Sequence, residues 1–299
     1  MHNAFYMLFI FDVIVTVAVL LALTAAAFAD IKTREIPDWI SYGLIFFVGA
    51  TRILEVIITR DVTLLTTSLL VFGLFAAFGT VMYLTRQWGG GDTKLLAGFG
   101  LAFAQAPSYL VVESVLPFPA VILINILLIG ALYGAGAAIV LAIKHRKAFK
   151  RAFKKEKEVP KMKRMKLMVW CLAVIFGLLT ITLNLPQAQQ MLFGLLALVL
   201  LALPYITIAI KSVEHACMYT SLTPSQLTEG DWIQDDVYKG KKLLYKVKAY
   251  GIDKRSIQKL INAKIKKVIV KEGVPFVPSF WIAIVITLLI GDVLFLGLF

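Results

Sequence analysis

Eight long apolar segments, separated by short polar turns, constrain the fold of this chain more than any other feature. They lie near residues 5–29, 39–58, 62–85, 94–106, 118–143, 167–184, 190–211 and 277–299. A helix of ~20 apolar residues crosses a bilayer, and only the fourth segment is clearly short for that. With 60% hydrophobic residues and a mean hydropathy of +0.84, the composition is that of a multi-span membrane protein. We therefore predict an all-α polytopic membrane protein with about eight transmembrane helices.

The net charge of +13 is explained by where the basic residues lie. Twelve Lys and Arg residues and two Glu residues occupy positions 144–166, between two apolar segments. Such a run is typical of a cytoplasmic loop, and anionic lipid headgroups are the partner that its charge favours. We predict lipid contact near 144–166 and no nucleic acid partner. The sequence leaves open whether this run is unstructured or continues the flanking helices.

The distribution of basic residues also predicts the orientation of the chain in the membrane. Eight crossings place every strongly basic stretch on the cytoplasmic side, in agreement with the positive-inside rule. These stretches are 32–34, 86–94, 144–166 and 239–271. Both termini are then predicted to lie outside.

The segment at about 213–276 is polar and divides the chain into three parts. Its residues 241–250 and 265–271 have strand patterns, and 253–264 has the pattern of an amphipathic helix. We predict a transmembrane bundle at 1–212, a small cytosolic α+β subdomain at 213–276, and a final transmembrane helix at 277–299. At about 60 residues the subdomain has a marginal core of its own.

Cysteine and histidine usage gives no support to a metal site or a disulfide framework. Only Cys171 and Cys217 are present, one of them in an apolar segment, and the three histidines are scattered along the chain. The sequence also contains no Walker-type or dinucleotide-binding fingerprint. We predict no metal and no cofactor.

Two aspartates lie where apolar segments meet polar turns. Asp30 ends the first segment, and Asp92 begins the fourth, directly after Gly89, Gly90 and Gly91. The chain crosses twice between Asp30 and the glycines, so both carboxylates are expected at the cytoplasmic face. Two adjacent carboxylates share a proton. One can then act as a base toward water and the other as an acid toward a carbonyl.

Each of these acidic residues also has a structural interpretation. Asp92 suits the N-cap of a helix, and Asp30 can be a solvated loop carboxylate. Asp38, which follows Pro37, is predicted to be the N-cap of the second helix. From the helix dipoles we predict that Asp92, at an N-terminus, is ionised and that Asp30, at a C-terminus, is protonated.

The three glycines allow two interpretations. Residues without a Cβ let another backbone approach closely, so an extended substrate peptide could pair with 89–91. Three consecutive glycines are equally typical of a flexible turn.

Residues 89–92 and 30–38 together resemble a known family. Gly89-Gly90-Gly91-Asp92 is similar to the G-x-G-D signature of polytopic aspartyl proteases. Asp30-Ile-Lys-Thr-Arg-Glu-Ile-Pro-Asp38 resembles the first-aspartate motif of type IV prepilin peptidases, which include the archaeal preflagellin (pre-archaellin) peptidases. The segment 273–280, Gly-Val-Pro-Phe-Val-Pro-Ser-Phe, resembles the stretch that precedes a late helix in these enzymes.

The resemblance implies an aspartic endopeptidase with Asp30 and Asp92 as the catalytic pair and the glycines shaping the site. It would remove the short N-terminal leader of pilin-like or archaellin precursors at the cytoplasmic face. Leader peptides of this class carry basic residues beside the cleavage point, so the acidic Glu35 and Asp38 are candidates to bind them. Lys94 is a further candidate for contact with the substrate. Solvation is the alternative for Glu35.

The chain departs from the bifunctional bacterial enzymes in lacking a large loop with paired Cys-x-x-Cys motifs after the first span. This argues against N-methyltransferase activity and the zinc associated with that loop, and the compact form resembles the archaeal enzymes.

Two other functions are consistent with parts of the sequence. A proton- or cation-coupled transporter could use Asp30, Asp92 and Asp292, but it predicts acidic groups near the midplane and an internal repeat. A membrane scaffold with a partner-binding subdomain leaves the glycine turn unexplained. Away from these sites, Arg52 and Glu55 are predicted to pair at i,i+3 spacing, and Asp12 to lie near the opposite interface from Asp30.

Overall fold

The computed structural model describes residues 2–110, 116–182, 186–248, 250–271 and 273–293. The helices are α1 (His2–Thr33), α2 (Asp38–Thr59), α3 (Val62–Leu84), α4 (Gly90–Ala102), α5 (Phe118–Lys144), α6 (Arg146–Glu158), α7 (Pro160–Thr182), α8 (Gln187–Cys217), α9 (Lys254–Asn262) and α10 (Val277–Ile290). The strands are β1 (Tyr219–Leu222), β2 (Trp232–Ile233), β3 (Val237–Lys239), β4 (Lys242–Tyr245) and β5 (Val268–Lys271). The predicted fold class, a polytopic helical membrane protein with a small β-containing C-terminal region, is confirmed.

Among the described residues, six helices are long and apolar enough to cross a membrane. They are α1, α2, α3, α5, α7 and α8. The two other predicted segments form shorter helices: α4 has 13 residues and α10 has 14. At 1.5 Å per residue α4 is only about 20 Å long, less than the ~30 Å hydrocarbon thickness. Residues 111–113, a predicted extension of the fourth segment, and 294–299 of the last one lie outside the described residues.

The first of two compact units comprises Met1–Ala135, Leu227–Ile265 and Gly273–Phe299. Its core is formed by side chains of α1, α2, α3, α4, α5 and α10. Every residue of α4 from Leu95 to Ala102 is buried. A helix enclosed on all sides carries no polar stripe, which agrees with the uniformly apolar sequence of 95–102. The helix that begins with the glycine–aspartate motif is therefore central to this unit.

The second compact unit comprises Gly136–Gln226 and Lys266–Glu272. Here the basic run 144–166 is helical: it forms the end of α5, all of α6 and the first turns of α7, which answers the question that the sequence left open. Helices α6, α7 and α8 pack on one another. Glu156, which is buried, lies 3.2 Å from His215 Nδ1. Strands β1 and β5 pair antiparallel, with Tyr219 opposite Lys271.

Residues 227–265 contain the first predicted strand and the predicted helix of the subdomain, both in shortened form. The strand expected at 241–250 is limited to β4, and it pairs with β3, which the sequence analysis missed. The predicted helix at 253–264 is α9, with Asp253 as its N-cap accepting the Ser256 N–H at 2.7 Å. Lys248 Nζ, 2.6 Å from Asp253 Oδ2, is the main reason that the pKa of the Asp253 carboxyl lies well below its usual range. The boundaries 213–276 stay a prediction.

Two hydrogen bonds join this segment to the turn between α3 and α4. The Tyr83 hydroxyl donates to the Tyr250 carbonyl at 3.2 Å, and Arg86 Nη2 donates to the Lys248 carbonyl at 2.9 Å. Arg86 has a left-handed backbone conformation, with φ of 60°. The turn that leads into Gly89 is therefore held by the polar segment as well as by its own helices.

Candidate active site

Asp30 lies in the last turn of α1, which ends at Thr33 and therefore extends beyond the predicted limit of the apolar segment. Its side chain is buried, and its Oδ2 accepts the Val277 N–H at 2.9 Å. Val277 is the first residue of α10. Asp30 is thus not a solvated loop residue: it caps the N-terminus of a helix distant in sequence.

Asp92 lies in the first turn of α4, three residues after the N-cap, which is Gly89. The prediction that Asp92 is the N-cap is therefore wrong by one turn. Its buried carboxylate reaches back to accept the Gly89 N–H at 2.9 Å. This satisfies one of the N–H groups that a helix N-terminus leaves without an intrahelical partner.

The two carboxylates come together at one end of α1 and α4. These helices are in contact, and the negative charge of Asp30 acts on Asp92. Since both groups are buried carboxylates, the negative charge of one opposes the ionisation of the other.

The structure weakens the helix-dipole argument for an asymmetry between the two aspartates. Asp30 lies in the last turn of α1, but it also accepts the Val277 N–H at the N-terminus of α10. The two dipoles act in opposite directions on Asp30, so the assignment of Asp92 as the base and Asp30 as the acid stays a prediction.

Aromatic side chains enclose the Asp30 end of this site. Trp88, directly before the glycines, lies 5.2 Å from Phe280 and 5.9 Å from Phe276 between ring centroids. Phe276 and Phe280 are 5.4 Å apart. Trp88 and Phe280 are buried, so this cluster limits the access of water to the backbone groups that bind Asp30.

Sequence reasoning did not identify Trp88, Val277 or Tyr133, which interacts electrostatically with Asp30. The Phe-rich segment 273–280 and the apolar segment 277–299 were the available signals for α10. Trp88 was adjacent to the motif but has no ionisable group, and Tyr133 lies within an otherwise apolar helix.

The glycines differ in what surrounds them. A Cβ on Gly91 would lie 2.6 Å from Ile36 Cδ1 and 2.7 Å from Ile36 Cβ. A Cβ on Gly90 would be 3.8 Å from the Tyr83 ring, an ordinary contact, and one on Gly89 would be 3.3 Å from Asp92 Oδ2. Gly91 is therefore required because Ile36, in the loop after Asp30, packs directly on it.

Of the other candidate residues, the structure brings two together. Lys94 Nζ lies 2.5 Å from Asp38 Oδ1 and 4.8 Å from the centre of the Tyr42 ring. Asp38 is the first residue of α2 and not its N-cap, which is Pro37 without a side-chain bond. The proline fixes the backbone at the cap position, so the Asp38 carboxylate is directed to Lys94 instead. Glu35 is exposed in the preceding loop.

Within the described residues, no group of three or more His, Cys, Asp or Glu side chains could hold a metal ion. Cys171 and Cys217 are both free thiols.

A comparison with known families matches the part of the chain that contains these two aspartates. Residues 17–135 match the model of the type IV leader peptidase family. This part of the chain belongs to the type IV leader peptidase family. The matched residues contain Asp30, Asp92 and the three glycines that precede Asp92, but not Val277. No curated protein and no solved structure matches the chain significantly.

The family and the apolar helices establish two further points. Residues 17–135 are similar to a type IV leader peptidase-like protease, and the protein is a multi-pass membrane protein. This family implies a prepilin-type substrate, that is, a precursor that carries a leader peptide.

Gly91→Ala is expected to impair this leader peptidase-like protease because the new methyl group would overlap Ile36. We expect a fall in kcat of about 10- to 100-fold, since a displacement near 1 Å at a catalytic group can cost that much. Adding Ile36→Ala should restore part of the activity, because it removes Cδ1 and Cγ1 from the overlap and leaves only Cβ. Steady-state cleavage of a precursor peptide measures both effects. Gly90→Ala should cost less, and failure of Ile36→Ala to restore any activity would contradict the packing explanation.

Proposed function

We propose that the chain is an aspartic-type endopeptidase that removes the short N-terminal leader of type IV pilin-like or archaellin precursors. The observation that carries this proposal is the pairing of two buried carboxylates, Asp30 and Asp92, which interact at one end of the bundle. A shared proton gives such a pair an acid and a base at the same time. The family supplies the class of substrate.

The chemistry of this proposal is general acid–base hydrolysis of a peptide bond. The ionised carboxylate takes a proton from water as the water oxygen attacks the scissile carbonyl carbon. The protonated carboxyl gives its proton to the carbonyl oxygen. Collapse of the tetrahedral intermediate breaks the C–N bond. The proton taken from water goes to the leaving amine nitrogen, and one hydroxyl of the gem-diol returns its proton to the other carboxylate. The N–H groups of Gly89 and Val277 hold the two carboxylates in place during these transfers.

The proposal also includes the membrane face and the substrate contacts. Positive-inside counting supports a cytoplasmic site with both termini outside, and anionic lipids near 144–166. Glu35 is exposed and close in sequence to Asp30, so it can bind a basic leader residue, whereas Asp38 is already paired with Lys94. The transporter alternative has no specific observation in its favour.

Incubation of the purified protein with a pilin-like precursor tests the proposed function. We expect one cleavage, next to the basic end of the leader, identified by mass spectrometry of both products. Vesicles with the protein in one orientation should cleave only when the precursor reaches the predicted cytoplasmic side. Glu35→Lys should raise KM with little change in kcat. The proposal would be contradicted if the folded protein cleaved neither the pilin-like precursor nor an archaellin-type precursor.

A further inference from the structure

A second cluster of charged side chains is buried in the first compact unit, away from Asp30 and Asp92. It consists of Asp12 of α1 with Arg52 and Glu55 of α2. Arg52 is 6% exposed and Glu55 1%. Arg52 Nη1 lies 2.6 Å from Glu55 Oε2, as the sequence spacing predicts, and 3.3 Å from Asp12 Oδ1. Charges inside a membrane protein are costly unless they are paired or have a function.

The guanidinium also makes a contact that the sequence did not suggest. Arg52 Nη2 donates to the backbone carbonyl of Ala102 at 2.6 Å. Ala102 is the last residue of α4. The final carbonyls of a helix have no intrahelical donor, and in an apolar environment such groups need a partner. A cation at this position also interacts favourably with the negative end of the helix dipole.

From these contacts we propose that Arg52 is a positioning residue for catalysis: it fixes the far end of α4 against α1 and so sets the placement of Asp92 relative to Asp30. This inference rests on the proposed function of the two aspartates. Helix α4, at about 20 Å, is shorter than the hydrocarbon thickness of ~30 Å, so two membrane interfaces alone do not determine its position. Its end needs a fixed point within the protein, and Arg52 supplies it.

The same guanidinium connects both helices that carry the catalytic pair. Asp12 precedes Asp30 by 18 residues on α1, about 27 Å along the helix, and Ala102 follows Asp92 by ten residues on α4. The carboxylates are thus at one end of the two helices, and the Arg52 contacts are at the other. Asp12 also accepts the Ser108 N–H at 2.8 Å, which holds the chain after α4.

An arginine suits this position better than a lysine. Its planar fork donates from Nη1 to the carboxylates and from Nη2 to the carbonyl, and Glu55 orients the fork from one turn along α2. A lysine keeps the charge but presents a point donor on a flexible stem. Arg52→Lys therefore keeps the positive charge beside the carboxylates of Asp12 and Glu55 but removes the two-pronged donor geometry.

The test is the pH profile of cleavage by Arg52→Lys in the purified, full-length protein. We expect kcat to fall about 10- to 100-fold, as for a small displacement of a catalytic group, with KM within about twofold of the wild-type value. The two limbs of the bell-shaped profile should also change their separation, because this separation depends on the distance between two coupled groups. The charged and titratable groups that act on Asp30 are Asp92, Arg34 and Tyr133, and none of them is altered.

Arg60→Lys is the matched control, since Arg60 is an exposed residue at the C-cap of the same helix. It should leave kcat and the pH profile unchanged. If Arg52→Lys does not fold, Asp12→Asn is the second test of the positioning role. It keeps an acceptor for the Ser108 N–H and removes the ionic contact with Arg52. It should change the profile in the same way but less.

Three results would overturn the proposal: an unchanged profile in whichever of these variants folds, a loss of activity that merely follows the loss of folded protein, or an effect confined to KM. Activity retained in Asp30→Asn would instead show that the proposed function is wrong. Inactive aspartate variants together with a normal Arg52→Lys would reject the positioning role alone.

Discussion

Asp30→Asn and Asp92→Asn are each expected to lower kcat for leader cleavage by about 10²- to 10⁴-fold, the usual contribution of a general acid or base. Asn keeps the size of the side chain and its ability to accept the backbone N–H of Val277 or Gly89, so the helices should remain in place. It cannot take a proton from water or hold the proton that the pair shares. Single-turnover cleavage of a precursor peptide by each purified variant measures the loss.

Asp61→Asn is the matched control for this substitution. Asp61 is an exposed carboxylate at the N-cap of α3, where it accepts the Thr63 N–H at 2.9 Å. Asn is an equally good N-cap, so both stability and activity should be those of the wild type. The double variant Asp30→Asn/Asp92→Asn should be no less active than the worse single variant, because the two groups act as one unit. Near-normal cleavage by either single variant would rule out the aspartic mechanism.

Gly100→Ala is expected to cause the largest loss of stability among single substitutions in α4. A Cβ at this position would lie 2.8 Å from the Val71 carbonyl oxygen and 2.9 Å from Phe72 N and Cα, all of them backbone atoms of α3. A neighbouring side chain could rotate away, but a helix backbone cannot. Overpacking of a buried site typically costs about 1–3 kcal/mol, and we expect the upper part of this range or beyond.

Thermal unfolding of the protein in detergent, followed by tryptophan fluorescence, measures this loss. Gly73→Ala, on α3, is the control, since no atom lies within 4 Å of the added methyl group. It should be neutral or slightly stabilising because alanine is the better helix former. Equal melting temperatures for the two variants would show that α3 and α4 do not approach closely at Gly100. Separation of these helices would also displace Thr93, whose hydroxyl donates to the Gly79 carbonyl, and with it Asp92.

Helix positions could be predicted because long apolar segments have few alternatives in a membrane. The two aspartates followed from the motif and from counting crossings. The precise roles of Asp38 and Asp92 at their helix starts were wrong, since an acidic residue near a helix start fits either the N-cap or the first turn. Strand β3 was missed because three residues carry too little pattern to identify a strand.

The contacts that hold the site together could not be predicted from local patterns. The Arg52–Ala102 bond uses a backbone carbonyl, which no residue type marks, and it joins positions 50 residues apart. Trp88, which precedes α4, packs against Phe280 of α10, although each alone is an ordinary apolar residue. These contacts depend on which helices pack together, and a single sequence does not specify this.

The Asp30–Val277 bond joins residues separated by 247 positions. During synthesis Asp30 is therefore made 247 residues before its partner. At roughly 5–20 residues per second, the interval is on the order of 10 to 50 seconds. Throughout this time the first carboxylate lacks the N-terminus of α10 that holds it. A nascent chain that has not yet reached Val277 therefore carries both aspartates without the N–H group that binds Asp30, and we expect it to lack proteolytic capacity until α10 is made.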